Sequence, residues 1–111
     1  MESAADRKRV ERVARCFDAS GRLQRWPTRQ SEQIVVLWVL WSQLPDGTRM
    51  DEAEFSSLLV RWHDFDDYAL LRRGLIDLGL VQRTQTGSIY RKASRDDMPA
   101  EAAAVVARFS S

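Results

Sequence analysis

A chain of 111 residues is long enough for one hydrophobic core and too short for two. Hydrophobic residues make up 44% and charged residues 30%, the balance of a folded globule rather than of a disordered chain. One cysteine excludes an internal disulfide framework, one histidine excludes a histidine-rich metal site, and a net charge of +1 is far below that of most nucleic-acid binders.

The opening MESAADRKRVERVARC is charged throughout and does not read as a secretory signal. The longest apolar run, Ile34 to Trp41, is shorter than the roughly 20 residues a bilayer span needs. A cytoplasmic location and no membrane partner are therefore expected. The net charge hides an uneven distribution. Residues 1–27 carry +3, residues 28–78 carry −4, residues 79–95 carry four cations and no carboxylate, and the last sixteen carry −2.

From about Ser3 to Phe17, Val10, Val13 and Phe17 give a narrow apolar stripe, and Arg7, Lys8, Arg9, Arg12 and Arg15 cover the rest. So polar a helix must lie on an apolar surface or bind an acidic partner. Cys16, three positions after Val13, reads as packing rather than as a redox sensor. FDASGRLQRWP follows as a turn, with Asp18, Ser20 and Gly21 as turn formers and Pro27 as its end. Trp26, beside a proline, is the tryptophan expected to be exposed or in an interface.

Thr28 is placed to cap a helix over 28–43. Its centre, IVVLWVLW, is apolar on every side, so both faces need cover. PDGT (45–48) is a turn. Thr48 to Met50 fits a very short strand that pairs with a later hairpin. Asp51 then starts a helix, with Glu54 at the spacing of a capping box, and Phe55, Leu58, Leu59 and Trp62 form its buried face. His63 to Asp67 is the turn into the next helix.

The stretch from Asp64 to Lys92 organises the rest. Tyr68, Leu71, Leu75 and Leu78 recur on one face of a helix over 66–78, and Gly79 sits where a left-handed residue ends it. LVQRT and SIYRK are two β-rich runs linked through Gly87. Beyond a polar RKASRDDMP, Pro99 begins a last helix, about 98–109, with Ala102, Val105, Val106 and Phe109 as its stripe.

These elements predict one domain over residues 1–111, mainly α with a small β-hairpin: a winged helix-turn-helix over about 28–92 with additional N- and C-terminal helices at about 3–17 and 98–109. The two terminal helices are the natural cover for helix 28–43. A homodimer through those three helices is the expected assembly.

The chain also resembles the bacterial family named domain of unknown function 2087. The matching pieces are Phe17, Gly21-Arg22-Leu23 and Trp26-Pro27; Gly47-Thr48-Arg49 with Glu54; and Asp66-Asp67. They continue through Leu71-Arg72-Arg73, Leu75, Asp77 and Gly79-Leu80-Val81 to Arg83, Gly87, Tyr90 and Arg91. The resemblance covers about residues 16–92. It implies a winged-helix-like domain of bacterial transcriptional regulators, sometimes appended to another helix-turn-helix, with no established activity or ligand.

On this reading double-stranded DNA is the partner. Helix 66–78 enters the major groove, where Arg72 and Arg73 are its residues able to read guanine edges. Arg83, Arg91, Lys92 and Arg95 sit on phosphates, Gln85 adds a hydrogen bond, and Arg7, Lys8 and Arg9 supply an N-terminal basic arm. Against that pose, Asp64, Asp66 and Asp67 begin the helix, where they suit its dipole and would repel phosphates. Arg73 and Asp77, four residues apart, fit a plain surface ion pair. The alternative is a protein–protein interaction module on the same scaffold that does not bind DNA. His63 with Asp64, Asp66 and Asp67 lacks the spaced ligand pairs of a zinc site and the glycine of a calcium loop. No nucleophile with its base, phosphate loop or spaced carboxylate pair occurs, so no enzyme, catalytic residue, metal or cofactor is expected.

Overall fold

The computed structural model describes residues 4–47, 49–62, 68–84, 86 and 89–109. Among them five helices and three strands follow one another: α1 (Ala4–Ala14), α2 (Gln30–Ser42), β1 (Arg49–Asp51), α3 (Glu52–Trp62), α4 (Tyr68–Asp77), β2 (Val81–Arg83), β3 (Ile89–Lys92) and α5 (Ala100–Ala107). α1, α2 and α5 are a little shorter than the apolar pattern suggests, and the expected start of helix 66–78 lies outside the described residues. Thr48 of the expected first strand, the turn from His63 to Asp67, Gln85, Gly87 and Ser88 lie outside the described residues.

The arrangement follows from α2. Val35 through Leu40 are all buried, six consecutive positions that no one-sided packing can cover. α1 and α5 pack on α2 and on each other, and α4 packs against α2 as well. The cover that the greasy helix demands is thus supplied within one chain. Val13, Val36, Val39, Leu40, Ala102 and Val105 are fully enclosed there. Cys16 is buried, and Trp26 is partly buried against the core rather than free in solvent.

Thr28 does not cap α2. The N-cap is Arg29, with no side-chain cap. Glu32 in the first turn supplies the negative charge that the helix start favours. Its buried carboxylate faces two guanidinium nitrogens, Arg12 Nε at 3.3 Å and Arg29 Nε at 3.7 Å. Two other end signals behave as the residue types demand. Asp51 Oδ1 accepts the Glu54 amide at 2.8 Å, while Glu54 Oε1 accepts the Asp51 amide at 3.4 Å, a reciprocal capping box. Gly79, at φ +72°, closes α4. The Leu80 amide bonds the Leu75 carbonyl at 2.9 Å and the Gly79 amide bonds that of Ile76 at 2.9 Å, with Leu75 and Leu80 both buried.

A third strand joins the hairpin. The sheet is antiparallel in the order β1-β3-β2, so β3 is central. Arg49 lies opposite Arg91 and Met50 opposite Tyr90 on one side; Gln82 lies opposite Arg91 and Val81 opposite Lys92 on the other. Met50, Tyr90 and Val81 are buried, and Tyr90 packs on Phe55 of α3 with ring centroids 4.9 Å apart. Cross-strand partners share a face, so Arg49, Arg91 and Gln82 form one row on the outer face, away from the core.

In α4, Leu71 and Leu75 are buried, but Tyr68 is 40% exposed, which removes it from the stripe that the spacing assigned to it. It opens the helix, where the apolar face begins only with the next turn, and the Arg72 guanidinium lies 6.0 Å from its ring centre.

Candidate functional site

The chemistry-bearing surface of this molecule is cationic, and the folded chain sorts its cations into two groups. The first group is spent on the fold. Lys92 retains only 9% exposure; its ammonium donates to the Leu44 carbonyl at 3.2 Å, pairs with Asp46 Oδ1 at 2.8 Å and stands 4.5 Å above the Trp41 ring. It joins β3 to the carboxyl end of α2, where a cation suits the helix dipole. Trp41 Nε1 adds a bond to the Ala93 carbonyl at 3.0 Å. Arg95 is held by both oxygens of Asp97, at 2.8 and 2.6 Å. It also donates to the carbonyls of Leu78 and Gly79 at the end of α4 and lies 5.2 Å from the Trp38 ring centre. The Arg95 guanidinium holds the Asp97 carboxyl below its usual range.

Two more residues expected on nucleic acid, Arg9 and Arg72, are also engaged internally. Arg9 meets both oxygens of Glu101 at 3.0 and 3.1 Å and so joins α1 to α5. Arg108 pairs with Glu11 across the same two helices. Arg72 pairs with Glu52 Oε1 at 2.9 Å, bridging α4 to α3. The Glu52 side of that pair is open to solvent, so it contributes about 0.2–1 kcal/mol and is easily broken. Arg73 is exposed, and the expected pair with Asp77 is not among those of the described residues.

The second group stays in solvent. Arg91 and Arg49 line one open depression of about 310 Å³ on the outer face of the sheet, with Gln82, Thr84 and Ile89; Arg83, opposite Tyr90 in the register, lines it from the edge strand β2. No carboxylate lines it among the described residues. Arg91 Nη2 donates to Gln82 Oε1 at 3.0 Å, which orients the guanidinium without neutralising it. A second concavity, shared at Gln82 and Arg91, runs on to Trp41, Ala93 and Ser94. On α1, Arg7 and Lys8 are exposed, as expected of a basic arm, with Arg12 and Arg15 beside them. Gln85 lies outside the described residues.

Arg49 is the member that the periodicity of the chain did not single out for this surface. Its exposure follows from the alternation Arg49-Met50-Asp51, exposed-buried-exposed. Its place beside Arg91 follows only from strand order, which three residues of β pattern do not specify.

No cluster of three or more His, Cys, Asp or Glu that would hold a metal occurs among the described residues, of which His63, Asp64, Asp66 and Asp67 are not part. None of the described helices is long and apolar enough to cross a membrane.

The structure thus defines a mixed α/β protein of five helices and a small three-stranded antiparallel sheet, with an arginine-lined outer sheet face. The family model described as "Uncharacterized protein conserved in bacteria (DUF2087)" matches residues 22–92, so the chain belongs to that family. The match takes in α2 through β3 and leaves α1 and α5 outside. No curated protein and no solved structure matches the chain.

Proposed function

We propose that this domain is a DNA-associated regulator of transcription, a winged helix-turn-helix whose wing, β2-β3, lies on the phosphate backbone. The order helix, strand, two helices and hairpin from α2 to β3 supports the winged-helix assignment. Fold alone does not assign function. The observation that carries the reading is the set of exposed arginines, Arg49 and Arg91 on the outer face and Arg83 on the edge strand, around one depression free of carboxylates among the described residues. Guanidinium groups so placed are suited to bidentate phosphate contacts, which set affinity and register. Arg7 and Lys8 of α1 form a separate group of exposed cations with Arg15.

Base reading contributes less. Arg73 is the arginine of α4 that stands free, since Arg72 is joined to Glu52. One guanine contact is worth about 1–3 kcal/mol of discrimination, so selectivity is modest on this reading. A homodimer forms no part of it, because α1 and α5 cover α2 within the chain.

A filter-binding titration with duplex DNA at two salt concentrations tests the proposal. Binding that weakens steeply with salt and is abolished by Arg83→Glu with Arg91→Glu supports it. Absence of binding at low salt overturns it.

One observation favours the second reading, a protein–protein interaction module without DNA binding. Val60 of α3 and Tyr68 of α4 are large apolar side chains at 48% and 40% exposure, on the two helices whose one shared arginine pair is closed. That reading predicts that Val60→Asp abolishes capture of a partner protein while leaving the fold intact.

A further inference from the structure

The register of the sheet sets two like charges against each other. Arg49 on β1 and Arg91 on β3 are direct cross-strand partners on the outer face, and both are exposed. Like charges in that position destabilise a sheet. Such a pair is commonly relieved by a carboxylate, and here the neighbours offer little relief. On the far side of Arg91 the row continues with Gln82, a neutral amide. Asp51 shares the face two residues along β1, but its Oδ1 caps α3 through the Glu54 amide, and it forms no ion pair with either arginine among the described residues. Arg49 itself has no hydrogen-bond or ion-pair partner among them.

We propose that Arg49 and Arg91 are the two jaws of a clamp for one phosphate group. Two planar guanidiniums on adjacent strands line one depression, and an anion seated between them turns repulsion into two charge-assisted contacts. Gln82 fixes one jaw by its bond to Arg91 Nη2. Thr84, on the same depression, supplies a hydroxyl within the same cavity. The inference rests on the reading that the outer sheet face meets phosphate, and it goes further by naming the pair that does so and the single group it holds. The shared chemistry is a phosphate, whether a backbone diester of DNA or a free monoester.

The test uses the full chain and two probes. In the first, thermal unfolding is followed in inorganic phosphate and in chloride at equal ionic strength, for wild type, Arg49→Gln, Arg91→Gln and, as a control at an exposed cation off the sheet, Arg25→Gln. Wild type and Arg25→Gln gain about 5 °C at a tenfold excess over Kd, and both clamp variants gain nothing. In chloride, Arg49→Gln unfolds at or above the wild-type temperature, because removing one like charge relieves the pair; this shows that the variant folds. An equal phosphate gain in Arg49→Gln, or none in wild type, overturns the clamp. In the second, a blunt duplex without terminal phosphates is titrated at low salt. A loss of about tenfold or more in affinity on Arg49→Gln supports the backbone diester as the ligand. Unchanged duplex affinity in that variant, beside a phosphate gain that depends on Arg49, supports the clamp with a free phosphate as its ligand and leaves the DNA reading to rest on the other cations. A phosphate gain without any duplex binding supports the clamp, assigns it a free phosphate and overturns the DNA reading.

Discussion

Asp18 shows how one side chain can hold a turn that carries no regular structure. Its Oδ1 accepts the Ser20 hydroxyl at 2.6 Å and the amides of Ser20 and Arg22 at 2.9 Å each, and Oδ2 accepts Gln24 Nε2 at 3.1 Å. These bonds, that from the Ser20 hydroxyl first, favour the charged form and hold the carboxyl below its usual value of 3.8. A lowered folded pKa contributes stability that is present above the unfolded value and is lost as pH falls through the folded one. Urea unfolding from about pH 5 down to about pH 2.5 should therefore show wild type losing more stability than Asp18→Asn. Equal losses would mean that the turn does not depend on the charge.

At the same scale, Lys92 separates fold from function. Its sequence position, beside Arg91 on a cationic hairpin, suggests a phosphate contact. Alternation on the strand turns it to the opposite face, where Trp41, Leu44 and Asp46 enclose it. Lys92→Met should cost about 1–3 kcal/mol of stability, since it leaves the part-buried Leu44 carbonyl without its donor and removes the ammonium from the Trp41 ring, while Asp46, 91% exposed, is rehydrated. DNA affinity of the folded variant should stay within about twofold of wild type, measured by filter binding. A tenfold loss of affinity with unchanged stability would move Lys92 to the interface.

At the scale of elements, the helices bear the clearest imprint of the sequence, and the exceptions have physical causes. Asp51 with Glu54 and Gly79 mark ends because their chemistry is local: a carboxylate reaching an amide, a residue at positive φ. The capping signal of Thr28 goes unused: the N-cap of α2 is Arg29, without a side-chain cap, and Glu32 supplies favourable charge in the first turn, anchored by Arg12 from α1. That partner is 20 residues away and invisible to a local reading. Gly74 is the position the periodicity passed over. A Cβ there would stand 2.8 Å from Leu37 Cδ1 and 3.1 Å from Cδ2, so a bare backbone is what lets α4 lie close on α2. Gly74→Ala gains up to about 1 kcal/mol of helix propensity but overpacks an enclosed leucine, a cost of about 1–3 kcal/mol. A net loss of about 1 kcal/mol is expected in urea unfolding. Adding Leu37→Ala should make the double variant lose less than the sum of the single ones. Strict additivity would show that the two helices do not meet at that point.

At the scale of the whole molecule, the legible part was the succession of helices and the collection of cations after Gly79. The need to cover α2 on both faces was legible too, although which chain would do it was not. Sequence distance hid the rest. Pairing of β1 with β3 joins residues some forty positions apart, and a strand of three residues has too little pattern to fix its register. That register decides which cations share a surface. It brings Arg49 to Arg91, turns Lys92 inward, and leaves Arg95 bound to the end of α4.

The claim on which the account depends is that the outer face of the sheet, and not the cations spent on the fold, meets the phosphates. The salt dependence of duplex binding tests it most directly. Each phosphate contact adds about 0.9 to the slope of log K against log salt; Arg49 and Arg91 share one phosphate and Arg83 takes a second, so replacing the three by glutamine should lower the slope by about 1.8. Replacing Arg7 and Lys8 should lower it by less. A slope that is the same with all three sheet arginines gone would contradict the account.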